Sequence, residues 1–319
     1  MTNKIPVGET IAQTYRFAFA NYLNNLGVTW MPLSLMSLAA YFFMPPYFHM
    51  MTQMVSPPAG SDPDTIRQAT VQNLQALISL APYLCIMCVM ALLGWASISA
   101  MVTREALGGR TGAAFSQFPF GKPMWRLVGA FLLLILLWIL TYVAVLLVTI
   151  VGGVGLTLAA KSIGGTGTIV TGIIGVVLLL ILFCAVIYVW ARGTFFVVPA
   201  TISEGHISIK SGWRLARGNF WRIFVVSFAI WLPLILLDLV FIYAVFGQEY
   251  FSLFNPLLPP EQKMAINQHI MNEMVSLFTQ YGYVYFPIGL LVNVFILGLF
   301  CGLSAVAYRA LKEGEAAQV

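Results

Sequence analysis

Charge is what this chain has least of. Only 8% of its 319 residues are Asp, Glu, Lys or Arg, against about 25% in an ordinary soluble domain, so a water-facing surface cannot be built over most of it. The 11 acidic residues and 3 histidines form no motif that could pair carboxylates or gather metal ligands. The four cysteines, Cys85, Cys88, Cys184 and Cys301, all lie in apolar runs, so no redox compartment follows from them. Cys85 and Cys88 form C-x-x-C, but inside an apolar run they read as small apolar residues. No P-loop, G-x-S-x-G or H-E-x-x-H is present. A charged tip, apolar core and cleavage site do not occur together at the start, so the first span is expected to serve as its own insertion signal. Together these absences argue against an enzyme, and no catalytic residue, metal site or cofactor is expected.

What the chain does contain is apolar and comes in long runs. Hydrophobic residues make up 60% of it, and six runs reach the ~20 residues that cross a hydrocarbon core. They predict spans at about 26–44, 77–102, 127 onward, 168–189, 223–246 and 283–308. VGGVGLTLAAKSIGGTG reads as a glycine-rich hairpin between the third and fourth. Segments 45–76 and 247–280 read as polar loops. The fold class expected is all-α: a polytopic membrane protein with six transmembrane helices and cytoplasmic interfacial amphipathic helices, a single domain over 1–319.

The net charge of +5 does not point to nucleic acid, because the basic residues flank apolar runs and so favour anionic lipid. In the six-span layout Arg67, Lys161 and Lys263 fall on one side. The other thirteen of the 16 Lys and Arg fall on the opposite side with both termini. Basic residues stay cytoplasmic, so both termini are expected in the cytoplasm.

Within residues 190–234, Lys210, Arg214 and Arg217 are spaced four and three apart and predict one basic helix face. Ile209, Trp213, Ala216 and Phe220 make an adjoining apolar stripe. That combination suits a helix lying among lipid headgroups, with Lys210, Arg214, Arg217, Trp213 and Trp221 as the candidate contacts. The alternative is that these cations only fix topology. Residues 8–25 read as a similar interfacial helix, opened by a capping box at Thr10 and Gln13 and striped by Ile11, Tyr15, Ala18 and Tyr22.

A weak internal repeat relates these two regions. YRFAFANYLNNLGVTWMPL at 15–33 aligns with WRLARGNFWRIFVVSFAIWLPL at 213–234, placing Arg16/Arg214, Ala18/Ala216 and Asn21/Asn219 in register. A poorer third copy begins at Trp125-Arg126. Three hairpin units, 8–102, 103–192 and 193–312, would result.

The same stretch carries a family resemblance. Arg192, Pro199, Glu204, Ser211, Trp213, Arg214, Leu215, Asn219, Phe220 and Trp221 resemble the signature of the membrane domain of glycerophosphoryl diester phosphodiesterases and of YciC-like bacterial inner-membrane proteins. The resemblance implies a multi-pass module of the bacterial cytoplasmic (inner) membrane. In the fused enzymes catalysis belongs to a separate soluble barrel domain; no such domain is expected here, so phosphodiesterase activity is not implied.

Three further features invite readings. Gly298 and Gly302 form G-x-x-x-G, and Ala96 with Ala100 a second small pair; such pairs allow close helix packing, within the chain or in a homo-oligomer. Met44, Met50, Met51, Met54, Met264, Met271 and Met274, with His49 and His269, cluster in the outer segments. Thioether and imidazole suit Cu(I), but amphipathic segments touching a bilayer use Met freely, and metal binding is not expected. Finally, Asp238, Asn293 and Thr141 lie fifteen or sixteen residues from Arg222, Arg309 and Arg126, about 24 Å along their spans. Equal depth suggests one intramembrane polar layer, either a structural hydrogen bond, the preferred reading, or the floor of a cavity.

These readings lead to a non-enzymatic membrane protein that engages anionic lipids and supports envelope or membrane-lipid homeostasis. Membrane lipids are the expected partners, with a protein partner or a second copy left open and nucleic acid excluded. The alternative is a transporter or channel for a small or lipid-derived solute.

Overall fold

The computed structural model describes residues 4–53, 62–109, 121–163, 165–255 and 257–316. Among them there is no strand. The helices are α1 (Val7–Ala20), α2 (Tyr22–Gln53), α3 (Pro63–Ala106), α4 (Lys122–Ile163), α5 (Gly165–Thr194), α6 (Val197–Glu204), α7 (Ile209–Leu215), α8 (Phe220–Ser252) and α9 (Pro260–Ala316). Six segments are long and apolar enough to cross a membrane: Tyr22–Phe43, Pro63–Ala106, Lys122–Gly155, Gly172–Glu204, Phe220–Ser252 and Pro287–Gly314. Large apolar side chains stand exposed along them, Leu140, Val151, Val176, Leu237 and Val240 included. A contiguous coat of that kind exceeds what a water-soluble monomer carries and is the surface a bilayer covers.

The sixth span is the axis of the bundle. In its most apolar window 56% of residues are buried, whereas none are in the fourth span's window, so α9 is central and α5 peripheral. Three core clusters share α9. Val294, Leu297 and Cys301 meet Leu33 of α2 and Ile98 and Val102 of α3. Leu299 and Leu303 meet Ala18 of α1 with Val226 and Ile230 of α8. Ala307, Tyr308 and Leu311 meet Phe196 and Ile223. Gly298 and Gly302 let α1 approach: a Cβ at Gly298 would lie 3.4 Å from Ala18, and one at Gly302 would lie 2.7 Å from the Phe17 ring. Ala96 and Ala100 pack on Met124, Leu127 and Val128 of α4. Both small-residue pairs therefore face neighbours within the chain.

Much of the expected outer loops is helical. Residues 45–53 and 63–76 belong to α2 and α3, and 260–280 is the first part of α9, while 253–255 and 257–259 form the turn before it. At 1.5 Å per residue the 44 residues of α3 run about 66 Å, twice the ~30 Å hydrocarbon core. These extensions stay helical because they pack. Phe43, Tyr47 and Met50, at helical spacing on α2, meet Ala76, Leu80 and Met87 on α3. Met50 is thus buried in an apolar cluster, which removes it from the suggested Cu(I) set. Met54 lies outside the described residues.

Other boundaries shift for local reasons. Helix α1 opens at Pro6, four residues before the expected capping box, and no side chain caps it. Thr10 is buried, and Gln13 instead donates to Glu9 at 2.9 Å. Helix α8 kinks at Gly247, next to the expected end of the fifth span at 246, with a φ of 61° and ψ of −148° accessible essentially to glycine alone.

The packing of α1 on α9 gives a direct test. Gly298→Leu should overpack this contact and cost about 1–3 kcal/mol, visible as a lower melting temperature by circular dichroism of the detergent-purified protein. Gly289→Leu, on the same helix where a Cβ meets nothing within 4 Å, should leave it nearly unchanged.

Candidate membrane-lipid interface

One end of the bundle gathers α1, α6, α7, the start of α8 and the end of α9, and its order begins with backbone groups that need partners. The segment before α1 has no regular structure, yet Ile5 is buried. Its N–H donates to the Asn219 side-chain oxygen at 3.1 Å, and its carbonyl accepts from the Arg222 guanidinium at 2.6 Å. Asn219 precedes the first residue of α8, and Arg222 lies in its first turn, so one helix start holds both polar groups of a distant peptide. Asn219 also donates to the carbonyl of Leu215 at 3.5 Å, and Asn21, its counterpart in the repeat, donates to that of Phe17 at 3.3 Å. Both asparagines sit where a shorter helix gives way to a span.

Helix α6 was not anticipated from the sequence. Its signals are Pro199 in the first turn and Gly205 just beyond the end, at φ 70°, the left-handed position that glycine fills most easily. Glu204 then ties α6 to α7: the hydroxyls of Ser208 and Ser211 donate to one of its carboxylate oxygens at 2.6 and 3.0 Å. Gly212 lets α7 lie against the backbone of Phe196 and Val197, where a Cβ would stand 3.2 Å away. Glu204, Ser211 and Asn219, three positions of the family-like signature, are thus scaffold.

The basic helix is shorter than expected. Helix α7 ends at Leu215, so Lys210 and Arg214 share it while Arg217 occupies the turn before α8, its N–H bonded to the Arg214 carbonyl. The turn closes at Gly218, where φ is 79°. Lys210, Arg214 and Arg217 are all exposed, and among the described residues none of the three forms an ion pair. Trp221 stands 72% exposed in the first turn of α8. Trp213 is different: the Arg192 guanidinium stacks 4.8 Å from its ring and bonds the Tyr188 hydroxyl. That half-buried ring is packed against an arginine of its own chain.

The three residues of the expected polar layer are not brought together. Thr141 turns to the α4–α5 groove beside Val186 and Val189, its hydroxyl bonded to the Leu137 carbonyl. Asn293 lines a groove with α2 and α3, its amide bonded to the Gly289 carbonyl. Asp238 is exposed on α8 and has no hydrogen bond or ion pair among the described residues. Sequence separation measures depth along a span but not direction around it, and these side chains point three ways.

At the α8–α9 connection His269 lies 3.5 Å from Glu249 and 3.8 Å from Glu273, tying the end of α8 to α9. Among the described residues no three His, Cys, Asp or Glu side chains converge as a metal site would require.

The hold on Ile5 can be tested by hydrogen exchange. Asn219→Leu should remove the acceptor for its N–H at a cost of about 1–3 kcal/mol. The peptide containing Ile5 should lose protection while those from the middle of α9 keep theirs. Unchanged exchange at Ile5 would show that burial alone holds the segment. No family model, curated protein or solved structure matches this chain.

Proposed function

We propose that this is a non-enzymatic integral membrane protein that engages anionic lipids through the cationic end of its bundle and serves envelope or membrane-lipid homeostasis. The observation that carries this reading is the set Lys210, Arg214 and Arg217, free of ion pairs among the described residues, beside the exposed Trp221 ring. Cations left without carboxylate partners next to an amphipathic ring suit a headgroup layer, and each is worth about 1 kcal/mol near an anionic surface. In this reading α1 and α7 lie at the interface, both termini are cytoplasmic, and the membrane is the bacterial inner membrane. A transporter or channel for a lipid-derived solute is the second reading, favoured by a cavity of about 430 Å³ within the bundle.

Two measurements test the proposal. A topology reporter in the 103–121 connection or in 205–208 should register as cytoplasmic, and one in 54–61 as external; the reverse would place the cations on the wrong face for inner-leaflet lipid. Changing Lys210, Arg214 and Arg217 together to Glu should weaken co-sedimentation with phosphatidylglycerol-rich vesicles at low salt by at least tenfold. An unchanged lipid preference in a folded variant would leave these residues as topology markers only.

A further inference from the structure

Arg192 lies in the last turn of α5, at the cationic end of the bundle, and unlike Lys210, Arg214 and Arg217 it is held in place. The Trp213 ring lies 4.8 Å from its guanidinium carbon and the Tyr188 ring 5.6 Å, and the Tyr188 hydroxyl accepts one of its N–H groups. Gly193 makes room for this arrangement, since a Cβ there would stand 3.4 Å from the Trp213 ring. Two rings and a hydroxyl fix a guanidinium but bring no negative charge to it. Among the described residues Arg192 forms no ion pair, and Glu204, the acidic residue of α6, is engaged by Ser208 and Ser211. A guanidinium that is fixed, half-buried and without a carboxylate is a binding element for an anion, and its flat fork of donors matches a phosphate.

From this cation a row of rings leads into the bundle. Tyr188 packs on Phe220 of α8 with centroids 5.1 Å apart, Phe220 stacks on Phe224 at 6.5 Å, and Phe224 on Phe228 at 6.2 Å. Phe220 to Phe228 covers about 12 Å of helix. Phe224 and Phe228 line the chamber of about 430 Å³, a size within the ~300–1,000 Å³ typical of small-molecule sites. Trp95, Phe131 and Trp231 line it too, and among the described residues no charged one does. Trp190 of α5 and Phe228 of α8 are 45% and 52% exposed, so the edge they form is reached from the bilayer. Ser99 and Thr103 are closed in against the buried Cys301 thiol, and the hydroxyls of Thr194 and Ser304 bond carbonyls of their own helices. The chamber therefore suits hydrocarbon, not a polar head. A second void of about 530 Å³ between α4 and α5 is lined by neither a ring nor a charged residue among those described.

A fixed cation at the end of a span and an apolar chamber deeper along the same ring row match the two ends of a phospholipid. One guanidinium balances one charge, which a phosphodiester carries. A zwitterionic head would bring its own cation beside Arg192, where no carboxylate receives it and like charges repel. We infer that Arg192 holds the phosphate of an anionic glycerophospholipid, phosphatidylglycerol, with one acyl chain running beside Phe220 and Phe224 into the chamber and the other left in the bilayer. The inference rests on the anionic-lipid role proposed above and adds to it a site for a single lipid, apart from the exposed Lys210, Arg214 and Arg217.

The test uses the full chain in phosphatidylcholine nanodiscs, which hold no anionic lipid. The photoprobe is phosphatidylglycerol with a diazirine in one acyl chain, and labelled peptides are identified by mass spectrometry. Labelling should saturate and centre on α5 around Trp190 and on α8 around Phe228. Unlabelled dioleoylphosphatidylglycerol should compete at least tenfold better than dioleoylphosphatidylethanolamine, and glycerol 1-phosphate, a phosphate without chains, should not compete. Arg192→Gln should weaken labelling about tenfold, the loss expected for a hydrogen bond to a charged group. It should also bring the two lipids to nearly equal competition, a ratio that a purely structural role for Arg192 would not move. Ser227→Phe narrows the chamber from α8 with Arg192 intact and should abolish labelling there, so the test survives if the Arg192 variant folds poorly. Non-saturable labelling, equal competition by the two lipids in the unaltered protein, competition by glycerol 1-phosphate, or an unchanged ratio in folded Arg192→Gln would each overturn the inference. If charge reversal at Lys210, Arg214 and Arg217 leaves vesicle preference unchanged while saturable labelling persists, the surface reading fails and this site stands. If that reversal abolishes the preference while Arg192→Gln labels like the unaltered protein, this site fails and the surface reading stands.

Discussion

The approach of α1 to α9 at Gly298 and Gly302 is the constraint on which the rest of the bundle depends. Within a bilayer, apolar side chains gain nothing by leaving lipid for one another, so helices associate by close packing and by polar contacts. Two glycines one turn apart give α9 a smooth face, against which Ala18 and Phe17 seat. With α1 in place, the remaining faces of α9 go to α2, α3, α6 and α8. Filling the glycine face would shift α1, and with it Ile5, Asn219 and the start of α8. A central helix largely enclosed near its C-terminal end links the membrane core mechanically to the polar end.

At that end the polar interactions divide into two kinds. One kind is spent on the chain itself: Asn219 and Arg222 on Ile5, Glu204 on Ser208 and Ser211, Arg192 on Tyr188 and Trp213. These fix short elements that have little core of their own; α7 has only seven residues. The other kind, Lys210, Arg214 and Arg217, is left without a carboxylate partner among the described residues. Composition alone cannot separate the two kinds, because Arg192, Arg214 and Arg222 are the same residue in the same kind of flanking position. The structure separates them by whether an acceptor or a ring of the chain lies within reach.

The spans were legible in the sequence because the bilayer imposes a length. Twenty apolar residues in a row have few other uses, and α8 kinks at Gly247, next to the expected end of the fifth span. What was missed lies where packing overrides local polarity. The segment 62–76 carries Pro63, Arg67, Gln68, Gln72 and Gln75 and reads as a loop, but Ala76 and Leu80 meet Tyr47 and Met50 at helical spacing. Residues 197–204 were given no element from the sequence, although Pro199 and Gly205 bracket a helix in the usual order. Trp213 was correctly placed beside a basic cluster, yet its actual partner, Arg192, is twenty-one residues earlier and belongs to another helix. The polar layer failed for a related reason: Asp238, Asn293 and Thr141 share a depth, but the facing of each depends on how its helix is rotated, and no periodicity within one span reports that.

The same limit explains why Ser99 and Thr103 passed unnoticed. On the sequence they are two small polar residues near the end of an apolar run, close to Ala96 and Ala100, and they read as part of a small-residue face. Their hydroxyls do not take the carbonyl bond that Thr141, Thr149 and Thr194 take on neighbouring spans. They are closed in the packing of α3 against α9, beside the buried Cys301 thiol, and no spacing within α3 reports which partner a neighbouring helix brings to that face.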